Sequence, residues 1–166
     1  MFSTQHAEYL ISLPKTLKDS KTVVDLSKKR NRLEFFSTDD EDQKFLVELT
    51  SNEKILLKTS IHHQENNTFV GLLRIDFKGS HMNPDHELNT LPNYLKPYIG
   101  KHFSPDEPHV HLYIEGYRPL AWAIPLDNYD FKIKSLNDKQ DISDLLLKFG
   151  EKINVVSPLN INTSLF

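Results

Sequence analysis

Apolar positions recur along the chain with two different periods, and the places where the period changes divide it into elements. Residues 4–13 carry Ala7, Leu10 and Ile11 at helical spacing, with Thr4 placed to cap the start and Pro14 to stop the helix. From 21 to 78 the pattern turns to short runs rich in β-branched and aromatic residues, at 22–26, 32–37, 44–49, 54–60 and 69–77. Polar segments at 39–42, 51–53 and 62–67 separate these runs and read as the turns of an antiparallel meander.

The next stretch, 79–108, has no sustained period and holds Pro84, Pro92, Pro97, Pro105 and Pro108. Loops of that length in a compact domain are usually functional or disordered. Leu91, Tyr94, Leu95, Tyr98, Ile99 and Phe103 favour an ordered loop with one helical turn. Strand alternation returns over 109–115, a turn follows at 116–119, and 121–126 completes a hairpin. Ile142, Leu145, Leu146, Phe149 and Ile153 then mark a closing helix, with Asp141 as its cap. The expected fold is α+β: a single domain, 1–166, with a mostly antiparallel β-sheet, N-terminal and C-terminal helices packed on one face, and a long ordered loop.

Composition narrows the chemistry. The 166 residues include 20 basic and 23 acidic side chains, a net charge of −3, which argues against a surface built wholly to coat nucleic acid or an anionic membrane. There is no cysteine, so thiolate catalysis, disulfides and Cys-containing metal sites are excluded. The start of the chain has no signal-peptide pattern and no run approaches about 18 apolar residues, which predicts a cytoplasmic protein with no membrane partner. Histidine stands out: of eight, His81, His86, His102, His109 and His111 fall within 81–111.

On a strand, alternate side chains share a face, so His109, His111, Tyr113 and Glu115 are expected on a polar face and Val110, Leu112 and Ile114 toward the core. The run at 69–77 alternates in the same way, with Arg74 and Asp76 on its polar side. If the two strands are neighbours, one surface holds Arg74, Asp76, His109, His111, Tyr113 and Glu115, with His81, Asp85 and His86 at its rim. An ordinary solvated sheet face would be richer in Thr, Lys, Glu and Arg than this one. His102 has no assigned role.

Three chemistries suit such a face. Imidazoles titrate near neutral pH and can act as general acid and base, with Arg74 neutralising a phosphoryl oxygen, as phosphodiester cleavage requires. His109 and His111 can chelate an ion with Asp76, Asp85 or Glu115, but no recognised ligand spacing is present and no metal or cofactor is assigned. The face can also serve only for recognition. Lys28, Lys29, Arg30 and Arg32 form a small basic patch suited to a nucleic-acid backbone, followed closely by the acidic run at 39–42.

His109-Val110-His111-Leu112-Tyr113 resembles the alternating strand of the histidine-triad nucleotide hydrolases, with Tyr113 where that family has its third histidine. The His-x-Ser/Thr element of two-histidine phosphoesterases is absent. A longer resemblance is to small uncharacterised bacterial and prophage-associated proteins. It rests on Leu72 to Phe77, Gly79, His81, Asn83-Pro84-Asp85, His109 to Tyr117 and Trp122 to Leu126. It implies a mobile-element setting, where toxins, nucleases and inhibitors of host defence are common. The expected function is a phosphodiester-directed enzyme with His109 and His111 as acid and base, Arg74 on phosphate and Asp76 or Glu115 orienting an imidazole. The competing expectation is a binding protein that inhibits a host defence complex through the same face and the 79–108 loop, with the acidic run imitating phosphates. Its partner would be nucleic acid or a host protein complex, and its oligomeric state, monomer or homodimer, is open.

Overall fold

A computed structural model describes residues 1–52 and 58–162. Chain order is α1 (Thr4–Ser12), β1 (Lys15–Leu17), β2 (Val23–Asp25), β3 (Arg30–Ser37), β4 (Lys44–Ser51), β5 (Thr59–Glu65), β6 (Val70–Asp76) and β7 (His81–Met82). A 3-10 turn (Asn93–Tyr98), β8 (His102–Phe103), β9 (His109–Leu112), β10 (Trp122–Pro125), a second 3-10 turn (Leu126–Asn128), α2 (Lys139–Lys152) and β11 (Asn160–Asn162) complete it. Seven strands form one antiparallel sheet in the order β1-β3-β4-β5-β6-β9-β10. The α+β expectation holds, including the strand pairing of β6 with β9 on which the candidate surface depends.

Alternation sorts the sheet into two faces. Leu33, Phe35, Phe45, Val47, Leu49, Ile61, Ile75 and Val110 point to one side and join a single core with both helices. On α2, Ile142, Leu145, Leu146 and Phe149 are buried at helical spacing, each worth roughly 1.5–3 kcal/mol of apolar burial. Helix α1 contributes Ala7 and Leu10. Among the described residues, no helix is long and apolar enough to cross a membrane.

Several boundaries differ from expectation for local reasons. Ser3, not Thr4, caps α1, its hydroxyl accepting from the His6 N–H. Asp138 rather than Asp141 caps α2, so that helix starts earlier. The segment 62–67 is not all turn: β5 runs on to Glu65, which pairs with Phe45 and Val70. Of the run expected at 54–60, residues 54–57 lie outside the described residues.

The most consequential difference is at 109–115, where β9 ends at Leu112. Beyond it the Tyr113 hydroxyl donates to the Phe2 carbonyl and the Glu115 N–H donates to Thr4 Oγ1, so the N-terminal segment draws the chain out of the sheet. Tyr113 and Ile114 are then both buried, and the two-residue alternation stops. The chain turns at Gly116, whose φ of 87° is one that residues with a Cβ rarely adopt.

Candidate functional site

The second face of the sheet is polar along two registered rows. Glu48, His62, Arg74 and His111 lie opposite one another across β4, β5, β6 and β9, and Thr50, Ser60, Asp76 and His109 form the row beside them. The 79–108 loop folds over the β9 end of these rows. It is ordered by Asn83, whose side-chain amide accepts from Ala123 N–H and donates to the carbonyls of Ala123 and Tyr98, in effect adding a partner to the edge strand β10. That docking turns what alternation presents as an open face into a covered one: His109 is 0% exposed and His111 6%.

Arg74 Nε donates to Asp76 Oδ1 at 2.7 Å, and His111 Nε2 lies 3.0 Å from Asp76 Oδ2. Burial works to raise the Asp76 carboxyl, but the His111 hydrogen bond and the Arg74 guanidinium outweigh it and hold Asp76 well below the usual carboxylate range. His109 Nδ1 donates to the Glu107 carbonyl at 2.8 Å, and His111 Nδ1 to that of Leu120 at 2.9 Å. His109 Nε2 has no hydrogen-bond partner and sits 3.8 Å from Asp76 Oδ2.

The Leu120 side chain packs against a glycine of β6. In β6 the register slips between His63 and Gln64, leaving Leu72 as the extra residue and Gly71 opposite Gln64. A Cβ on Gly71 would lie 2.6 Å from Leu120 Cδ1 and 3.0 Å from His62 Nε2, so a larger residue there would displace the Leu120 side chain from its place against β6.

His81, expected at the rim, is central. Its ring centroid is 4.5 Å from that of His111 and 5.9 Å from that of His109. Its Nε2 faces the backbone carbonyl oxygen of Ala121, at 2.9 Å, and the side-chain Oδ1 of Asn83, at 3.1 Å. Both of those atoms only accept, so the proton is on Nε2 and Nδ1 carries the lone pair. Burial, then the neighbouring His111, lowers the His81 pKa.

Two cavities open beside the cluster with Arg74 in the wall of both. The larger, about 740 Å³, is lined by Arg74, His81, Asp85, His86, His111 and Arg118. The smaller, about 250 Å³, includes Lys29, Lys58, Ser60, Arg74, Asp76 and Gly79.

The structure thus brings together Arg74, Asp76, His109, His111 and His81, with Asp85 and His86 at the rim and Lys29 reaching the second cavity. It does not bring in Tyr113, which is a core residue, or Glu115, which is exposed on the turn at Gly116. Arg30 and Arg32 pair with Glu48, and Lys28 lies exposed on the turn before β3. His109 is not available to a substrate as a surface acid or base. The sequence marked no role for His62 or Arg118, and it marked Asn83 only as part of Asn83-Pro84-Asp85 in the family resemblance.

A family model described as a family of unknown function, DUF6978, matches residues 2–155. The chain belongs to this family. The DUF6978 match takes in every strand and loop that forms the site and stops short of β11. No curated protein and no solved structure matches the chain.

Proposed function

We propose that this face binds phosphodiesters and hydrolyses them, with a nucleic-acid backbone as the substrate class. One observation carries the reading: Arg74, locked to Asp76 through Nε, forms the wall shared by two cavities that Lys29 and Lys58 line on one side and Arg118 and His81 on the other. A row of cations flanking half-buried imidazoles suits successive phosphates of a chain. Arg74 and Arg118 neutralise the phosphoryl oxygens, and the lone pair on His81 Nδ1 accepts the proton of the attacking hydroxyl or water.

Roles shift relative to a surface pair of His109 and His111. Both nitrogens of His111 are engaged, and His109 faces inward. His81 is the imidazole with a nitrogen left for substrate. The inhibitor reading, with the acidic run at 39–42 acting beside the same face, has less support. That run lies in the β3–β4 turn, at the Val70 end of β6, whereas the site is at the Asp76 end.

Cleavage of labelled single-stranded RNA, single-stranded DNA and bis(p-nitrophenyl) phosphate by the purified chain tests the proposal. Arg74→Ala is expected to lower turnover about 100- to 1,000-fold, the scale of losing one charge-stabilising donor, and His81→Ala by a similar factor. Absence of cleavage of all three substrates, or full activity in the Arg74→Ala/His81→Ala chain, would end it.

A further inference from the structure

We propose that Asp76, His109 and His111 form a binding site for one divalent transition-metal cation of the zinc class, held by Asp76 Oδ2 and the two Nε2 atoms. This deepens the hydrolase reading and rests on it only for what the ion does, not for whether the site exists.

Convergence is the first argument. The three donor atoms lie within 4.8 Å of one another, and they are the only such group among the described residues. Asp76 Oδ2 is 3.0 Å from His111 Nε2 and 3.8 Å from His109 Nε2. Bonds of about 2.0–2.1 Å in a tetrahedral ion set neighbouring donors about 3.3 Å apart, a value these two separations bracket.

Protons supply the second argument. Glu107 and Leu120 offer carbonyl oxygens to the Nδ1 atoms of His109 and His111, so Nδ1 of each ring donates to the backbone and Nε2 is the atom turned toward Asp76. A carbonyl on the far nitrogen is the arrangement that orients imidazoles toward a metal.

The third argument is what goes unsatisfied without a cation. His109 Nε2 is fully buried with no partner, 3.8 Å from the buried Asp76 Oδ2. One divalent ion serves the carboxylate and both Nε2 atoms together. Three other buried side-chain nitrogens without partners, His62 Nε2, His63 Nε2 and Trp122 Nε1, belong to no such group. Because His111 and Asp76 each form part of a cavity wall, the ion keeps a position open to the groove. Two imidazoles and one carboxylate with an open position suit water activation beside Arg74.

The test uses the full chain, stripped with a chelator and titrated with Zn²⁺ or Co²⁺ alone. The expected result is one equivalent bound with Kd near or below about 1 μM, visible d–d absorption with Co²⁺, and a higher Tm with Zn²⁺. Asp76→Asn and His109→Met are each expected to weaken binding about 100-fold or more, and substitution of the exposed His102, as His102→Gln, to leave it unchanged. Absence of binding tighter than about 100 μM by the folded chain, or binding retained in His109→Met, overturns the proposal. Should either variant fail to fold, imidazole ¹⁵N spectra of the unmodified chain decide. Zn²⁺ must move the Nε2 signals of His109 and His111, and unmoved signals reject the site. Tight binding with no cleavage of any phosphodiester leaves this site standing and ends the hydrolase reading. Cleavage by a stripped chain that binds no ion does the reverse.

Discussion

Lys15 and Asp76 are both taken out of water, at 0% and 6% exposure, but their surroundings differ in kind. Lys15 Nζ donates to the carbonyls of Leu10, Ile11, Leu13 and Ile153 at 2.7–3.0 Å, and packs over the Phe45 ring. Those carbonyls are the otherwise unpaired C-terminal groups of α1 and the cap of α2, where helix dipoles favour a cation. Every proton of the ammonium has an acceptor. Around Asp76 the same fold leaves His109 Nε2 bare and sets His111 against a carboxylate with its other nitrogen already committed. Buried polar groups are costly unless satisfied, so a closed cluster reads as architecture and an open one as a place for something to bind.

The comparison breaks most readily at Lys15. Lys15→Met keeps most of the side-chain volume but leaves four carbonyls without their donor, and an expected loss of about 3–5 kcal/mol follows. Urea unfolding measures it. A loss under about 1 kcal/mol would show that the helices hold together without the ammonium, and the contrast would lapse.

Protonation sharpens the same point at a smaller scale. Burial pushes the Lys15 pKa down to about 7, from an ordinary value of 10.5. Between those pH values the unfolded chain holds a proton that the native chain tends to release, so unfolding takes up a proton and stability rises with pH. The four carbonyls favour the ammonium and limit the release. The expected gain from pH 7 to 9, read as unmodified chain minus Lys15→Met, is about 1–3 kcal/mol. A flat profile would mean that the carbonyls hold the charge throughout.

Glu65 is a second closed cluster. At 1% exposure it accepts from Gln43 Nε2, from the backbone of Asn67 and Thr68, and from the Thr68 hydroxyl, which pins the β5–β6 turn. Glu65→Ala is expected to cost about 1–2 kcal/mol in the same unfolding assay, since some of these donors regain water at the surface. An unchanged midpoint would contradict the closed-cluster reading.

Much of this was legible in the chain. The alternation that set Arg74 with Asp76 and His109 with His111 describes real rows, because a two-residue period survives wherever a strand is paired on both sides. It misled at Tyr113 and Glu115, where contacts from Phe2 and Thr4, more than a hundred residues earlier, end the strand. It also could not show that the Asn83 loop covers the face, which turns exposed imidazoles into buried ones and moves His81 to the centre. Lys15 was invisible as a core residue for the same reason, since a cation is satisfied inside only by carbonyls that the sequence does not locate.

The smallest effect on stability is expected where the effect on function is largest. His109→Met gives up one bond, from Nδ1 to the Glu107 carbonyl, and with it a buried nitrogen that nothing satisfies. The thioether stays against Phe103, whose ring now lies 4.8 Å from the imidazole, a contact that sulfur makes well. The lost hydrogen bond and the removed desolvation cost are both of order 1 kcal/mol and oppose each other, so stability should change by less than about 1 kcal/mol. A group kept for packing would not behave so, because core substitutions usually destabilise by more. A loss above about 2 kcal/mol in urea unfolding would place His109 with Lys15 and Glu65 as architecture. Near-neutral stability together with lost cation binding would set it apart, as a residue whose unsatisfied nitrogen is held in place at some cost for the ligand it takes.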